Sequence, residues 1–185
     1  MVNPFVINGL TSFSMACWIS GYTSGVDVPF YAACQNTEPE CGLVVLSGTT
    51  LRYDATTAGS TITVPSTQGY HHLAVCYNGA TKRSYFDGSL VENPNVTGTI
   101  ASTYNRLYVG RFSAEYNPFN GSVYDPMFWA NRALSPSEIQ QLADPSNTLL
   151  SGLIVPPRRV LWPVAGTAPA AFKAFWANQA TQVAS

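Results

Sequence analysis

A chain of 185 residues is one domain of ordinary size, long enough to bury roughly 70% of its unfolded surface. Charged residues make up only 10% and hydrophobic ones 46%, with a formal net charge of −1, so polar surface must come from Ser, Thr, Asn and Gln or be covered by neighbours in an assembly. The Lys and Arg residues are scattered, with Lys82-Arg83 and Arg158-Arg159 as the only pairs, which excludes the basic face of a direct nucleic-acid binder, and no segment approaches the ~18 apolar residues of a membrane span.

Met1-Val2-Asn3-Pro4 lacks a basic n-region, and Asn8-Gly9 breaks the apolar run that follows, so no secretion signal is expected. Apolar or alternating runs then predict strands at 13–20, 30–34, 42–47, 50–54, 61–64, 70–77, 83–86, 106–112 and 122–130. Between them stand turn pairs such as Ser47-Gly48, Asn78-Gly79, Asp87-Gly88 and Asn120-Gly121. Runs spaced by about 8–12 residues are what a sandwich of antiparallel sheets produces, so the expected class is all-β. Cys17 and Cys76 fall within predicted strands and should pack as small apolar side chains. Cys34 and Cys41 flank a polar loop that contains Pro39. A local bridge there is within geometric reach, but the lack of a secretion signal favours thiols.

The chain's clearest local signal runs from 119 to 142. Asn120-Gly121 is a turn pair and residues 123–130 are apolar and aromatic enough for a buried strand. Leu134-Ser135-Pro136-Ser137-Glu138-Ile139 then reads as a helix start: Ser135 at the N-cap, Pro136 at the first helical position and Glu138 placed to close a capping box. Leu134 and Ile139 flank the cap as a hydrophobic staple, and Asp144-Pro145 ends the helix after about two turns. The prediction is one short helix over 135–143, with Leu134, Ile139 and Leu142 on its buried face.

Four blocks together resemble the laminin-G-like, concanavalin-A-like jelly rolls. They are Phe13-Ser14-Met15-Ala16-Cys17-Trp18-Ile19; His72-Leu73-Ala74-Val75-Cys76-Tyr77-Asn78-Gly79 with Tyr85-Phe86-Asp87-Gly88; Leu107-Tyr108-Val109-Gly110-Arg111; and Phe119-x-Gly121-x-Val123-x-Asp125 leading through Trp129 to Arg132-Ala133-Leu134-Ser135 and Glu138-Ile139. They occur in that family's order and cover about residues 10 to 143. Two positions depart from its pattern: Tyr70 stands where a Trp is usual, and Tyr124 takes a place often held by Asp. The resemblance implies an antiparallel β-sandwich over 1–146, a lectin-like fold.

After Asp144 the composition changes. Residues 147–185 carry only three charges, Arg158, Arg159 and Lys173, with Pro156-Pro157, Trp162-Pro163 and an Ala-rich end. This arm resembles the tails that follow laminin-G-like domains in bacteriophage and prophage proteins. It is too apolar to remain in water, so it must pack on its own domain, a sister subunit or another protein. The expected partner-binding residues are Arg158, Arg159, Trp162, Phe172, Phe175 and Trp176. With the resemblance they imply a structural virion protein, of the capsid or of the tail, assembled in the host cytoplasm and homo-oligomeric, with other virion proteins as partners and neither nucleic acid nor membrane bound directly.

The chemistry-bearing residues support that reading more than an enzymatic one. A glycosidase on this fold would need paired carboxylates ~5–10 Å apart, which the glucanases sharing the sandwich carry as E-x-D-x-x-E, and no such run exists here. Glu38 and Glu40 lie in the Pro-containing loop beside cysteines. His71 and His72 are adjacent on a predicted strand and point to opposite faces. No catalytic residue and no resident metal or cofactor are therefore expected. Calcium, the family's common ion, is the one group the resemblance leaves open, with Asp27, Asp54, Asp87 and Asp125 as candidate ligands. Host glycan is the alternative partner, since exposed aromatics and amides suit sugar rings, and Tyr104, Tyr116, Asn117 and Phe119 are the expected contact set.

Overall fold

The computed structural model describes residues 7–22, 27–35, 38–56, 58–100, 106–111 and 118–146. The strands are β1 (Phe13–Ser20), β2 (Asp27–Gln35), β3 (Glu38–Ser47), β4 (Thr50–Ala55), β5 (Ala58–Thr63), β6 (His71–Tyr77), β7 (Lys82–Phe86), β8 (Ser89–Glu92), β9 (Leu107–Val109) and β10 (Ser122–Ala130), followed by helix α1 (Pro136–Leu142). They form two antiparallel five-stranded sheets, ordered β10-β1-β6-β7-β8 and β5-β4-β3-β2-β9, stacked as a jelly-roll sandwich. The chain divides into the units Met1–Asn147 and Thr148–Ser185, and every described residue belongs to the first.

The period of two in a strand decides what enters the core. From β1 come Phe13, Met15, Cys17 and Ile19, from β6 Leu73, Val75 and Tyr77, and from the facing sheet Phe30, Leu43, Val45, Leu51 and Tyr53. The alternate residues of β1 and β6 are buried as well, among them Ser14, Ala16, His72 and Cys76. These two strands lie inside their sheet, covered on both faces, and they read as continuous apolar runs for that reason.

Helix α1 is built as its sequence dictates. The Ser135 side chain accepts the Glu138 N–H, the Glu138 carboxylate accepts the Ser135 N–H, and Pro136 opens the first turn. Leu134, Ile139 and Leu142 are buried. At the β7–β8 hairpin a Cβ on Gly88 would meet the Ala143 Cβ at 3.0 Å, so that turn needs glycine for its close approach to the helix end as well as for its positive φ.

Several features differ from the sequence expectation: Glu38, Pro39 and Glu40, expected in a loop, open β3, and β10, expected to be buried, is only partly buried or exposed along its length. Strand β8, Ser89-Leu90-Val91-Glu92, lies where no strand is predicted, and it is short and mostly exposed. It is an edge strand paired on one side only, where no burial pattern is imposed on the sequence. Strand β10 is irregular: Ala16 pairs with Met127 but Trp18 with Tyr124, so Asp125 and Pro126 together oppose Cys17. This is a β-bulge on an edge strand, the place where a Pro without an N–H is tolerated. Asp125 has φ +46°, a left-handed conformation to which Asp is among the better adapted non-glycine residues.

Candidate functional site

The bulge sets the direction of Tyr124. Register places Trp18 of β1 between Tyr124 on β10 and His72 on β6, so the three side chains form one row on the outer face of the helix-bearing sheet. Tyr70, just before β6, stacks on the Trp18 indole with centroids 4.5 Å apart and planes 15° from parallel. The Tyr124 ring meets Tyr70 edge-on at 5.6 Å, and His72 meets the indole edge-on at 5.2 Å. The result is a tiered aromatic platform. Trp18 and His72 are its buried base, whereas Tyr70 is 52% and Tyr124 43% exposed.

The polar chemistry sits at the rim. The Ser20 hydroxyl donates to the Tyr124 phenol oxygen at 3.4 Å, and hydrogen bonds from Ser20 and Ser122 hold the Tyr124 phenol below its usual pKa. The Tyr70 phenol is shifted up, first by partial burial and then by the charge of Asp125. Asp125 is thus the charge that bears on the exposed Tyr70 ring. Among the described residues neither ring nitrogen of His72 has a hydrogen-bond partner, and burial lowers its pKa to about 4 against a weaker opposing pull from Asp87. Aromatic faces flanked by hydroxyls and one carboxylate suit a ligand with C–H faces and hydroxyl edges.

The outer face of the second sheet is built differently. Val28, Tyr31 and Val44 are buried there with Leu46 and Tyr108 against them. The row Tyr108–Tyr31–Gly42–Asp54–Gly59 crosses all five strands. A Cβ on Gly42 would collide with the Tyr31 ring, so glycine lets that ring lie across β3. Arg52 holds Asp54 at 2.7 Å over Gly59.

The expected site residues have separate fates. Phe119 is corrected: it is 7% exposed and belongs to the core, its ring stacked with Tyr22 at 6.2 Å. The turn at Asn120-Gly121 folds it inward, so it offers no face to a sugar. Tyr104, Tyr116 and Asn117 lie outside the described residues, as do Arg158, Arg159, Trp162, Phe172, Phe175 and Trp176. Of the calcium candidates, Asp54 is paired with Arg52, and the Asp87 carboxylate is shared between His71 Nδ1 at 2.9 Å and the His72 N–H at 2.8 Å. The Asp27 side chain is not among those described. Among the described residues no three His, Cys, Asp or Glu side chains gather as a metal cluster would require. Cys17 and Cys76 are buried free thiols, as their strand positions led one to expect. Cys41 is buried with its thiol donating to the Ala32 carbonyl at 3.4 Å, and the Cys34 side chain lies outside the described residues.

Sequence reasoning missed the platform itself. Its residues are far apart in the chain and meet only through strand register. The available signal was that Tyr70 and Tyr124, the two departures from the family pattern, are both aromatic.

Residues 2–140 match the family described as the concanavalin A-like lectin/glucanases superfamily, in its laminin-G-like group. No curated protein sequence matches the chain. Among solved structures, domain 4 of AbnA, an extracellular arabinanase from Geobacillus stearothermophilus determined with arabinotriose, is similar with a TM-score of 0.54 and 16% identity, over 74% of this chain and 68% of that one. The heptameric SAP-like pentraxin from Limulus polyphemus is similar with a TM-score of 0.58 and 16% identity, over 75% of this chain and 72% of that one. A Trypanosoma rangeli sialidase is similar with a TM-score of 0.58 and 18% identity, over 77% of this chain but only 23% of that one. At these identities the likeness is one of fold, a fold shared by enzymes and by lectin-like domains.

Proposed function

This chain belongs to the concanavalin A-like lectin/glucanase superfamily, and on that premise we propose that it is a non-enzymatic structural component of a phage-type virion, decorating the capsid or belonging to the tail or fibre apparatus. The observation that carries the non-enzymatic part is the use of its carboxylates. Asp54 pairs with Arg52, Asp87 with His71, Glu92 with Lys82 and Glu138 with Arg132. These four, among the described carboxylates, are engaged in ion pairs, whereas a glycosidase needs an acid and a nucleophile or base facing one cleft. The virion part is supported by the sequence of residues 147–185, an apolar arm with three charges that resembles the segments following laminin-G-like domains in bacteriophage and prophage proteins and must be covered by its own domain, a sister subunit or another protein.

The aromatic platform favours a second reading, a carbohydrate-binding module that attaches to host surface glycan. The two readings are compatible in one particle protein, with the arm attaching it and the sandwich facing outward. Co-sedimentation of the full chain with assembled particles, and its copy number in purified particles by mass spectrometry, test the first. Hundreds of copies mean capsid decoration and a handful mean tail or fibre; absence from particles overturns the virion reading. Deleting residues 156–185 should leave the sandwich's thermal transition in place and abolish particle or oligomer assembly. A truncated protein that still assembles refutes the role of the arm. A glycan array probed with the full chain tests the second reading, which a blank array removes.

A further inference from the structure

The two aromatic departures from the family pattern, Tyr70 and Tyr124, converge on one surface and remain exposed at 52% and 43%, although the Trp18 beneath them is covered. Burial would be the cheaper arrangement for two such rings, and a lone exposed aromatic would need no explanation. A stacked pair with a third ring edge-on is a shaped surface. Its exposed part is two rings wide. That is the footprint of one or two sugar rings and far below the roughly 800 Å² per partner of a stable protein interface. Beside it the backbone holds Asp125 at φ +46°, where glycine would sit without strain. The Asp125 carboxylate makes no hydrogen bond or ion pair with any described residue, and its charge reaches the Tyr70 phenol. The Lys and Arg side chains whose ion pairs are described are engaged elsewhere: Arg52 with Asp54, Lys82 with Glu92 and Arg132 with Glu138.

We propose that Tyr70, Tyr124 and Asp125 form a binding site for a neutral hexopyranose, the two rings stacking on its C–H face and the Asp125 carboxylate accepting its hydroxyls while excluding acidic sugars. This rests on the glycan-binding reading above and names its substrate class. Stacking is indifferent to the identity of a neutral ring, so discrimination comes from charge. A sialic or uronic carboxylate placed beside Asp125 meets like charge in a partly desolvated setting, where repulsion is poorly screened. The Ser20 and Ser122 hydroxyls, held against the Tyr124 phenol, fix that ring's edge and leave its face open.

The test is titration of the full chain with cellotriose, maltotriose and mannotriose as neutral hexopyranose probes, and with digalacturonate and trigalacturonate as acidic ones. Calorimetry gives the affinity, and Trp18 provides a fluorescence signal at the site. Neutral trisaccharides should bind and the acidic ones should bind at least about tenfold more weakly. Tyr124→Ala and Tyr70→Ala should each weaken neutral binding by about tenfold, the scale of one aromatic contact; both side chains are exposed, and an unchanged thermal transition confirms the fold. Asp125→Asn keeps a residue suited to positive φ and removes the charge, so it should narrow the gap between neutral and acidic probes. Preference for an acidic probe by the unaltered chain, or neutral binding that survives both Tyr substitutions, overturns the site while leaving glycan binding itself intact. A chain that binds neither these probes nor any glycan on the array overturns the glycan reading as well.

Discussion

The hydroxyl of Ser14 accepts the backbone N–H of Leu134 at 2.7 Å, across 120 residues of sequence. The same hydroxyl donates to the Arg132 carbonyl at 3.0 Å. One buried side chain of β1 therefore terminates the polar backbone of the segment that leads into α1 and fixes where the helix starts. Ser14→Ala leaves the buried Leu134 N–H unpaired and should cost about 1–3 kcal/mol. Ser135→Ala, which removes the cap alone, should cost about 1 kcal/mol. Urea denaturation of the two variants checks the order, with the midpoint falling and the slope unchanged. A Ser14→Ala protein as stable as the parent would show that the link is ornamental.

Lys82 is a charged residue held inside the sandwich, with 0% of its side chain exposed. Its ammonium donates to the Tyr53 carbonyl at 2.9 Å and lies 3.4 Å from the Glu92 carboxylate. Burial depresses its pKa, and Glu92 opposes that shift. Glu92→Ala removes the counter-charge and should destabilise by about 3 kcal/mol, as breaking a buried pair does. Replacing both partners, as Lys82→Met with Glu92→Leu, should recover part of that loss, because no buried ion is then left alone. A double-mutant cycle read by thermal unfolding decides it; strictly additive losses would mean the pair is not coupled.

How much of this was legible in the sequence follows from how local each cause is. Strands β1 and β10 lie at the predicted limits, because long apolar runs between turn pairs admit few other readings. The cap at Ser135 was equally plain, since all its participants sit within a few residues. Glu92 gave no sign of reaching Lys82, because β8 is a short edge strand with no alternation. The bulge at Asp125-Pro126 looked like strand interior, since a one-residue slip against Cys17 leaves no mark in composition. The platform escaped for the same reason. Tyr70 and Tyr124 become neighbours only when β6 and β10 flank β1, a pairing that no local pattern encodes.

Cys17 and Cys76 should resist modification in the folded protein. Both are buried, and burial raises the pKa of each thiol above its ordinary value, so little thiolate is present at neutral pH. Iodoacetamide under native conditions should leave both unlabelled after the time that labels them fully in urea, as read by peptide mass spectrometry. Rapid native labelling of either would mean that β1 or β6 opens far more readily than its position inside the sheet implies.

The pH dependence of stability should carry a contribution from His72. The ring is fully buried and its pKa falls to about 4, because burial penalises the charged form more than Asp87 favours it. In the unfolded chain an ordinary imidazole titrates near 6.5. Between these values the unfolded state holds the extra proton, so stability rises with pH across that window and is lost as the pH falls from about 6.5 toward 4. The difference corresponds to about 3 kcal/mol at the acid end. His72→Phe keeps a ring against Trp18 and, since neither imidazole nitrogen has a hydrogen-bond partner among the described residues, breaks no bond with them in doing so. The variant should match or exceed the parent at pH 7 and lose less stability at pH 4.5, as measured by denaturant midpoints across the range. Parallel curves for the two proteins would show that His72 does not titrate on unfolding, and that acid sensitivity comes from the carboxylates, with the capping Glu138 the first to examine, its pKa being held down by Ser135.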